Sequence, residues 1–219
     1  MVSDTAARQT PASRPGGADL ALGLGVLGVL CLALIPVEIH RAFGLPAHPL
    51  ILHVPVILVP ILGLTLLVAA IRPSFFQRYA LAIGALTVVT LAATILTVGA
   101  GEAFRSDRPM DGGSDAQRLH EHAESGETLR LVMIGLAAVV LIAVLLSQSR
   151  EGSRLGFAAG LAGSTGVRLA VRGLFVIGAA AAIFFVIRTG HLGAKLTWER
   201  DGGGGPPPGF NGGGRPPGP

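Results

Sequence analysis

Five stretches of this chain are long and apolar enough to cross a lipid bilayer: Leu20–Val37, Leu50–Ile71, Tyr79–Gly101, Leu129–Leu146 and Leu169–Ile187. A hydrocarbon core about 30 Å thick takes about 20 helical residues. No water is present there to bond backbone N–H and C=O groups, so a crossing segment must bond its own, as a helix does. The expected fold class is therefore all-α: a polytopic transmembrane helical bundle, with a four-helix core and one N-terminal helix added to it. Composition excludes a water-soluble globule, because 50% of the residues are hydrophobic and only 14% are charged, against about 25% charged in ordinary globular chains.

The formal charge of +4 and the pI of about 10.5 would direct attention to nucleic acid in a soluble chain. Here the 17 Lys and Arg residues are scattered through loops and tails without an aromatic-lined basic stripe, so no nucleic-acid partner is expected. The lipid bilayer is the first partner. The single Cys31 lies inside an apolar run, which precludes an intramolecular disulfide, and no C-x-x-C-H site for c-type haem is present. The first run follows Arg8 and Arg14 as a secretory signal would, but it exceeds the usual apolar region and lacks a small-x-small cleavage site before Arg41. It is expected to be retained.

Arg and Lys resist translocation. With the N-terminus cytoplasmic, that side holds Arg8, Arg14, Arg72, Arg78, Arg150, Arg154, Arg168 and Arg172. The opposite loops hold Arg41, Arg105, Arg108, Arg118 and Arg130, the longer loop diluted by six Asp and Glu residues between Asp107 and Glu127. The tail basics Arg188, Lys195, Arg200 and Arg215 partly oppose this bias. The orientation expected is N-in, C-out. Residues 1–17 and 199–219 are expected to be disordered, the latter because Gly and Pro leave little to bury. They flank an N-terminal helix over 18–41 and a four-helix membrane domain over 45–198. The stretch Leu155–Gly163 is too short and Gly-rich to cross and reads as an interfacial segment. Gly23-x-Gly25-x-x-Gly28 imitates a dinucleotide fingerprint, but it lies within a span and follows no strand, so it reads as helix packing.

An odd number of crossings gathers the six histidines at one side of the membrane. His40 ends the first span, His48 and His53 begin the second, His120 and His122 lie between the third and fourth, and His191 follows the fifth. Glu102 joins them. For His40 and His48 the simpler reading is preferred: a cation near a helix C-terminus, and a residue that helps start a helix before Pro49. His53 sits about one turn inside an otherwise charge-free run, where an ionisable side chain often marks function. Pro55 and Pro60 remove amide donors for the carbonyls of Ile51 and Val56 and should bend the helix beside it. Ser114 and Gln117 form a capping box, so a helix is expected to begin near Asp115. It would carry His120, Glu124 and Glu127 on one face, with His122 pointing elsewhere. Gly190 and Gly193 flank the His191 region and permit close backbone approach. Thr87, Thr90, Thr94 and Thr97 recur on one face of the third span, and Gly178–Ala182 lines the fifth; both read as packing surfaces.

The segment His48-Pro49-Leu50-Ile51-Leu52-His53-Val54-Pro55-Val56 resembles the recurring H-P-L-x-V-H-F-P-I segment of the DUF2231 family of uncharacterised bacterial membrane proteins. The resemblance covers about residues 45–198. It implies a four-helix domain with a histidine before the third core helix, at His120 or His122, and a Gly-rich segment after the fourth, at Gly190–Gly193. Val54 stands where the family usually has Phe, and Leu196-Thr197-Trp198 where it has Leu-Val-Tyr. It implies a bacterial inner-membrane location, and related domains often accompany haem-containing electron-transfer components. The function expected is accordingly a redox-associated subunit binding haem b, with ligands among His53, His120, His122 and His191 and with Glu102 and Glu124 supporting them. A Cu or Zn site on the same histidines is a variant. Expected partners are electron-transfer proteins or other membrane subunits. A cofactor-free assembly or accessory protein and a small transporter or proton conduit are the alternatives.

Overall fold

The computed structural model describes residues 16–107, 113–149 and 155–198. The ends expected to be disordered fall almost wholly outside the described residues. Five helical segments are long and apolar enough to cross a membrane: Gly17–Leu34, Ala47–Ile71, Pro73–Ser106, Ser114–Ser147 and Thr165–Trp198. The first is helix α1 (Gly17–Cys31) continued by a 3-10 turn. A two-residue-strand hairpin, β1 (Arg41–Ala42) and β2 (Leu45–Pro46), leads into the short α2 (Ala47–Ile51) and then α3 (His53–Ile71). Next come α4 (Pro73–Ser106), α5 (Gly113–Ser147), the one-turn α6 (Ala159–Gly163) and α7 (Thr165–Trp198).

Helices α4, α5 and α7 have 34, 35 and 34 residues. At 1.5 Å per residue each runs about 50 Å, well beyond a hydrocarbon core of about 30 Å. They outrun the apolar stretches because residues such as Glu, Gln, Ala, Leu and Arg continue a helix once it has started. α5 begins at Gly113, two residues before the expected start near Asp115, so Ser114 lies inside the helix rather than at its N-cap, and the helix runs without interruption into its apolar half. His120 and His122 thus ride on a rigid helix.

Local chemistry explains the turns. Pro73 opens α4, where its missing amide leaves nothing unsatisfied, and Arg72 alone separates α3 from α4. On the other side of that turn, Arg172 of α7 donates its Nε–H to the Ala70 carbonyl at 2.6 Å, meeting one of the last acceptors of α3. The bend expected near Pro55 appears as a break at Leu52, between α2 and α3. Pro60 remains inside α3. At the hairpin tip, Phe43 (φ 51°) and Gly44 (φ 78°) both take the left-handed conformation of a tight two-residue turn. Arg41 Nη2 donates to the Gly44 carbonyl at 2.8 Å across it.

In the core, α3 packs on α4 and α7, α5 packs on the same two, and α1 lies outside against α4 and α5. Leu62, Leu66, Leu91, Ile95, Met133, Val140 and Phe175 fill the centre. Small residues set the close approaches: Gly63 faces Ile183, Gly178 faces Leu136, and Gly28 faces Leu141. The threonine face of α4 is packing, as expected. Thr87, Thr90, Thr94 and Thr97 donate their hydroxyls to the carbonyls of Ile83, Leu86, Thr90 and Ala93 at 2.7–2.8 Å.

Two outcomes follow. On a Cys31→Ala background, single cysteines at Phe43, His120 and Trp198 should react with an impermeant maleimide from one side of the membrane, and cysteines at Ser74 and Gly166 from the other. A Cβ on Gly99 would overlap the Val37 carbonyl, so Gly99→Ala should destabilise by about 1–3 kcal/mol as an overpacked contact does. Thermal unfolding in detergent measures this.

Candidate functional site

The end of the bundle where α1 finishes, α2 and α5 begin, and α4 and α7 finish carries the chemistry. His48 lies in the first turn of α2 and crosses to α4, where its Nδ1 is 3.0 Å from the Thr97 carbonyl oxygen. His122, in the third turn of α5, crosses to α7, where its Nδ1 is 3.0 Å from the Thr189 carbonyl oxygen. A carbonyl can only accept, so each ring donates from Nδ1. In the neutral imidazole this leaves the lone pair on Nε2.

The two rings meet each other. Their centroids are 6.2 Å apart and their planes are inclined at 83°. Phe104 of α4 stacks on the other side of His48, with centroids 6.4 Å apart and planes at 30°. Beneath His122, the buried Ser125 hydroxyl is 2.8 Å from that of Thr189, so one residue of α7 serves α5 through both its carbonyl and its side chain. Both imidazoles lie tight against glycine. A Cβ on Gly101 would stand 3.1 Å from His48 Cε1 and Nδ1, and one on Gly193 would stand 3.0 Å from His122 Cε1 and 3.4 Å from its Nδ1.

A charge cluster joins α4 to α5. Arg130 of α5 is ion-paired with Glu127 one turn away and stands 3.6 Å from Glu102 of α4. Its side chain is only 14% exposed, and its Nη1 has no hydrogen-bond acceptor among the described residues. Above this lies an open cavity of about 540 Å³ lined by Glu38, Glu102, Arg105, Ser106, Leu119 and His120.

The expected site residues divide sharply on this geometry. His122 is at the centre, half-buried. His53, His120 and His191 are exposed, His53 on the outer side of the α3 start, His120 at the open cavity and His191 on α7. The partner brought to His122 from the second span is therefore His48, not His53. Glu102 was expected to take the second N–H of an imidazole; Thr97 and Thr189 carbonyls do that, and Glu102 pairs with Arg130. Glu124 is exposed on α5. His40 does not cap a helix: α1 ends at Cys31, and His40 Nδ1 instead sits 3.0 Å from both oxygens of Asp107, tying the hairpin to the end of α4. Thr97 was read only as packing, and Gly101, Phe104 and Thr189 were not read as site residues. Their signal is the repeated Thr-x-x-x-Gly, at Thr97–Gly101 and Thr189–Gly193.

The fold and its paired histidines define a polytopic helical membrane protein with a polar site at one end of the bundle. The profile of the family described as "Predicted membrane protein (DUF2231)" matches residues 44–204. The chain belongs to that family. No curated protein and no solved structure matches it.

Arg130→Met should destabilise the protein by about 1–3 kcal/mol, because Glu102 and Glu127 lose their shared cation near the apolar interior. Arg130→Lys should recover part of that loss. A thermal midpoint of the Met variant equal to that of the parent contradicts a structural role for the cluster.

Proposed function

We propose that the chain is a redox-associated membrane subunit in which His48 and His122 would hold a b-type haem. The observation that supports this reading is the pair itself: two imidazoles on facing helices, each with its Nδ1 proton bound to a backbone carbonyl. That bond orients the ring and makes the free nitrogen a better ligand. The two rings lie within reach of one another, with centroids 6.2 Å apart.

The donor set also distinguishes among metals. A Zn or Cu site made by protein alone takes three or four ligands, and among the described residues no group of three His, Cys, Asp or Glu converges. Haem iron takes only two from the protein. When bound, haem supplies reversible one-electron chemistry. The chain's own residues hold its ligands: Thr97 and Thr189 orient the rings, Phe104 flanks His48, and the Glu102–Arg130–Glu127 cluster joins α4 to α5. The subunit sits in the bacterial inner membrane, N-in and C-out, with the pair at the extracytoplasmic end. Electrons reach or leave it through another membrane subunit or an electron-transfer protein.

A second reading rests on the same two bonds. Each imidazole fastens one helix to another, α2 to α4 and α5 to α7, which is what a cofactor-free accessory protein would use them for. The transporter reading is weaker, because the threonine hydroxyls of α4 are all bonded within their own helix.

Expression with added haem, purification in mild detergent and a reduced-minus-oxidised spectrum separate the first two. Low-spin b-type bands should be present in the parent, lost in His48→Ala and His122→Ala, and kept in His53→Ala and His191→Ala. A colourless parent preparation removes the haem proposal and leaves the accessory reading.

A further inference from the structure

The two imidazole contacts are copies of one another. In each, a histidine near the start of one helix donates Nδ1–H to a threonine carbonyl near the end of the next long helix, and a glycine lies four residues beyond that threonine. The sequence separations are 49 residues for His48–Thr97 and 67 for His122–Thr189. The packing has the same symmetry. α3 touches α4 and α7, and α5 touches α4 and α7, so exchanging α3 with α5 and α4 with α7 leaves the arrangement unchanged. α3 and α5 begin at the histidine end, and α4 and α7 finish there. The core is two helix hairpins, side by side, each delivering one ring to their common axis.

The glycine position follows from helix geometry. In an α-helix the amide of residue i+4 bonds the carbonyl of residue i, so Thr97 O and Thr189 O already have Gly101 and Gly193 as helical donors. Each oxygen keeps a second lone pair. A side chain at i+4 would shield that lone pair, because every Cα–Cβ bond leans toward the helix N-terminus and so back over the carbonyl. With hydrogen in that place, the imidazole can lie against the helix and reach the oxygen at 3.0 Å.

We propose that Gly101 and Gly193 are positioning residues, the two halves of a duplicated socket that sets the orientation of His48 and His122. This rests on the ligand reading above only for its effect on haem; the effect on the rings is independent of it. A methyl at either position stands 3.0–3.1 Å from the nearest ring atom. The ring must tilt, and its bond to the carbonyl lengthens. Helix propensity runs in the opposite direction, since Ala favours a helix interior over Gly. That gain offsets the weakened imidazole–carbonyl bond, so ring orientation can be lost with the fold retained.

The test compares the full chain with Gly101→Ala, Gly193→Ala and the control Gly190→Ala, which lies on the same turn of α7 with nothing within 4 Å of its Cβ position. In haem-free protein in detergent micelles, histidine ¹⁵N shifts should report the Nδ1–H tautomer for His48 and His122 in the parent and the control. That tautomer should be lost at His48 in Gly101→Ala and at His122 in Gly193→Ala, with cooperative unfolding and thermal midpoints close to that of the parent. In haem-loaded protein the same two variants should lower haem affinity about 10-fold to 100-fold and alter the strongly anisotropic low-spin ferric signal that perpendicular ring planes give. Unchanged tautomers in both variants overturn the socket. A haem-free parent with the tautomer changes intact overturns the ligand reading and leaves the socket standing.

Discussion

The governing constraint is that a chain inside hydrocarbon must bond its own backbone. It therefore crosses as whole helices, and whole helices carry their ends to alternate sides. Five crossings bring the end of α1, the starts of α2 and α5 and the ends of α4 and α7 to one level. Nothing else about the sequence would place His48 beside His122, 74 positions away. The same rule makes helix ends chemically valuable. Carbonyls in the last turns of α4 and α7 are near enough to the polar interface to take a second donor, and there the two imidazoles attach.

A ring bonded in this way has little freedom. Nδ1 is held at a fixed carbonyl, the Nδ1–Cε1 edge lies against glycine, and His48 has Phe104 as a further ring neighbour. Whatever use the protein makes of Nε2, it does so with rings whose planes are already set near a right angle. That is preorganisation by backbone, which is stiffer than orientation by a carboxylate side chain. It also explains why Glu102 is left to the ion cluster: Arg130, held almost out of solvent, needs both neighbouring carboxylates more than the imidazoles need either.

Much of this fold is legible in the sequence because its signals are one-dimensional. Apolar run length marks the spans, Pro73 and the Ser114/Gln117 pair mark helix starts, and span parity puts the histidines together. What the sequence does not mark is the inward face of each helix. In water the apolar face points inward and the periodicity reveals it. In lipid both faces are apolar, and every helix here is hydrophobic all round through its crossing segment. Depth was thus a poor guide to His53, which lies deeper along the chain than His48 yet is exposed. Five helical residues already turn His53 about 140° around the axis from His48, and the bonds from Leu52 N–H to the His48 carbonyl and from Val56 N–H to the Leu52 carbonyl carry the helix through the break. His120 and His122 differ only by the rotation of two residues, which no composition rule resolves.

The two sockets are alike at their centres and different at their edges. His48 has Phe104 stacked on it and the Glu102–Arg130 pair close by on the residue after Gly101, whereas the residue after Gly193 is Ala194. His122 instead has the Ser125–Thr189 hydroxyl pair beneath it. The second hairpin joins its long helices through 148–164 where the first has Arg72 alone, which accounts for most of its greater His-to-Thr separation without disturbing the register of Thr189 and Gly193 on α7. Paired helices tolerate such an insertion because it falls at the end far from the rings, where only the turn has to be rebuilt. The near end allows no such latitude: moving Gly193 by one residue would rotate it about 100° away from the imidazole and put a side chain over the carbonyl. The repeated geometry is thus confined to the few residues at the ring contacts, and the surroundings of the two sockets differ.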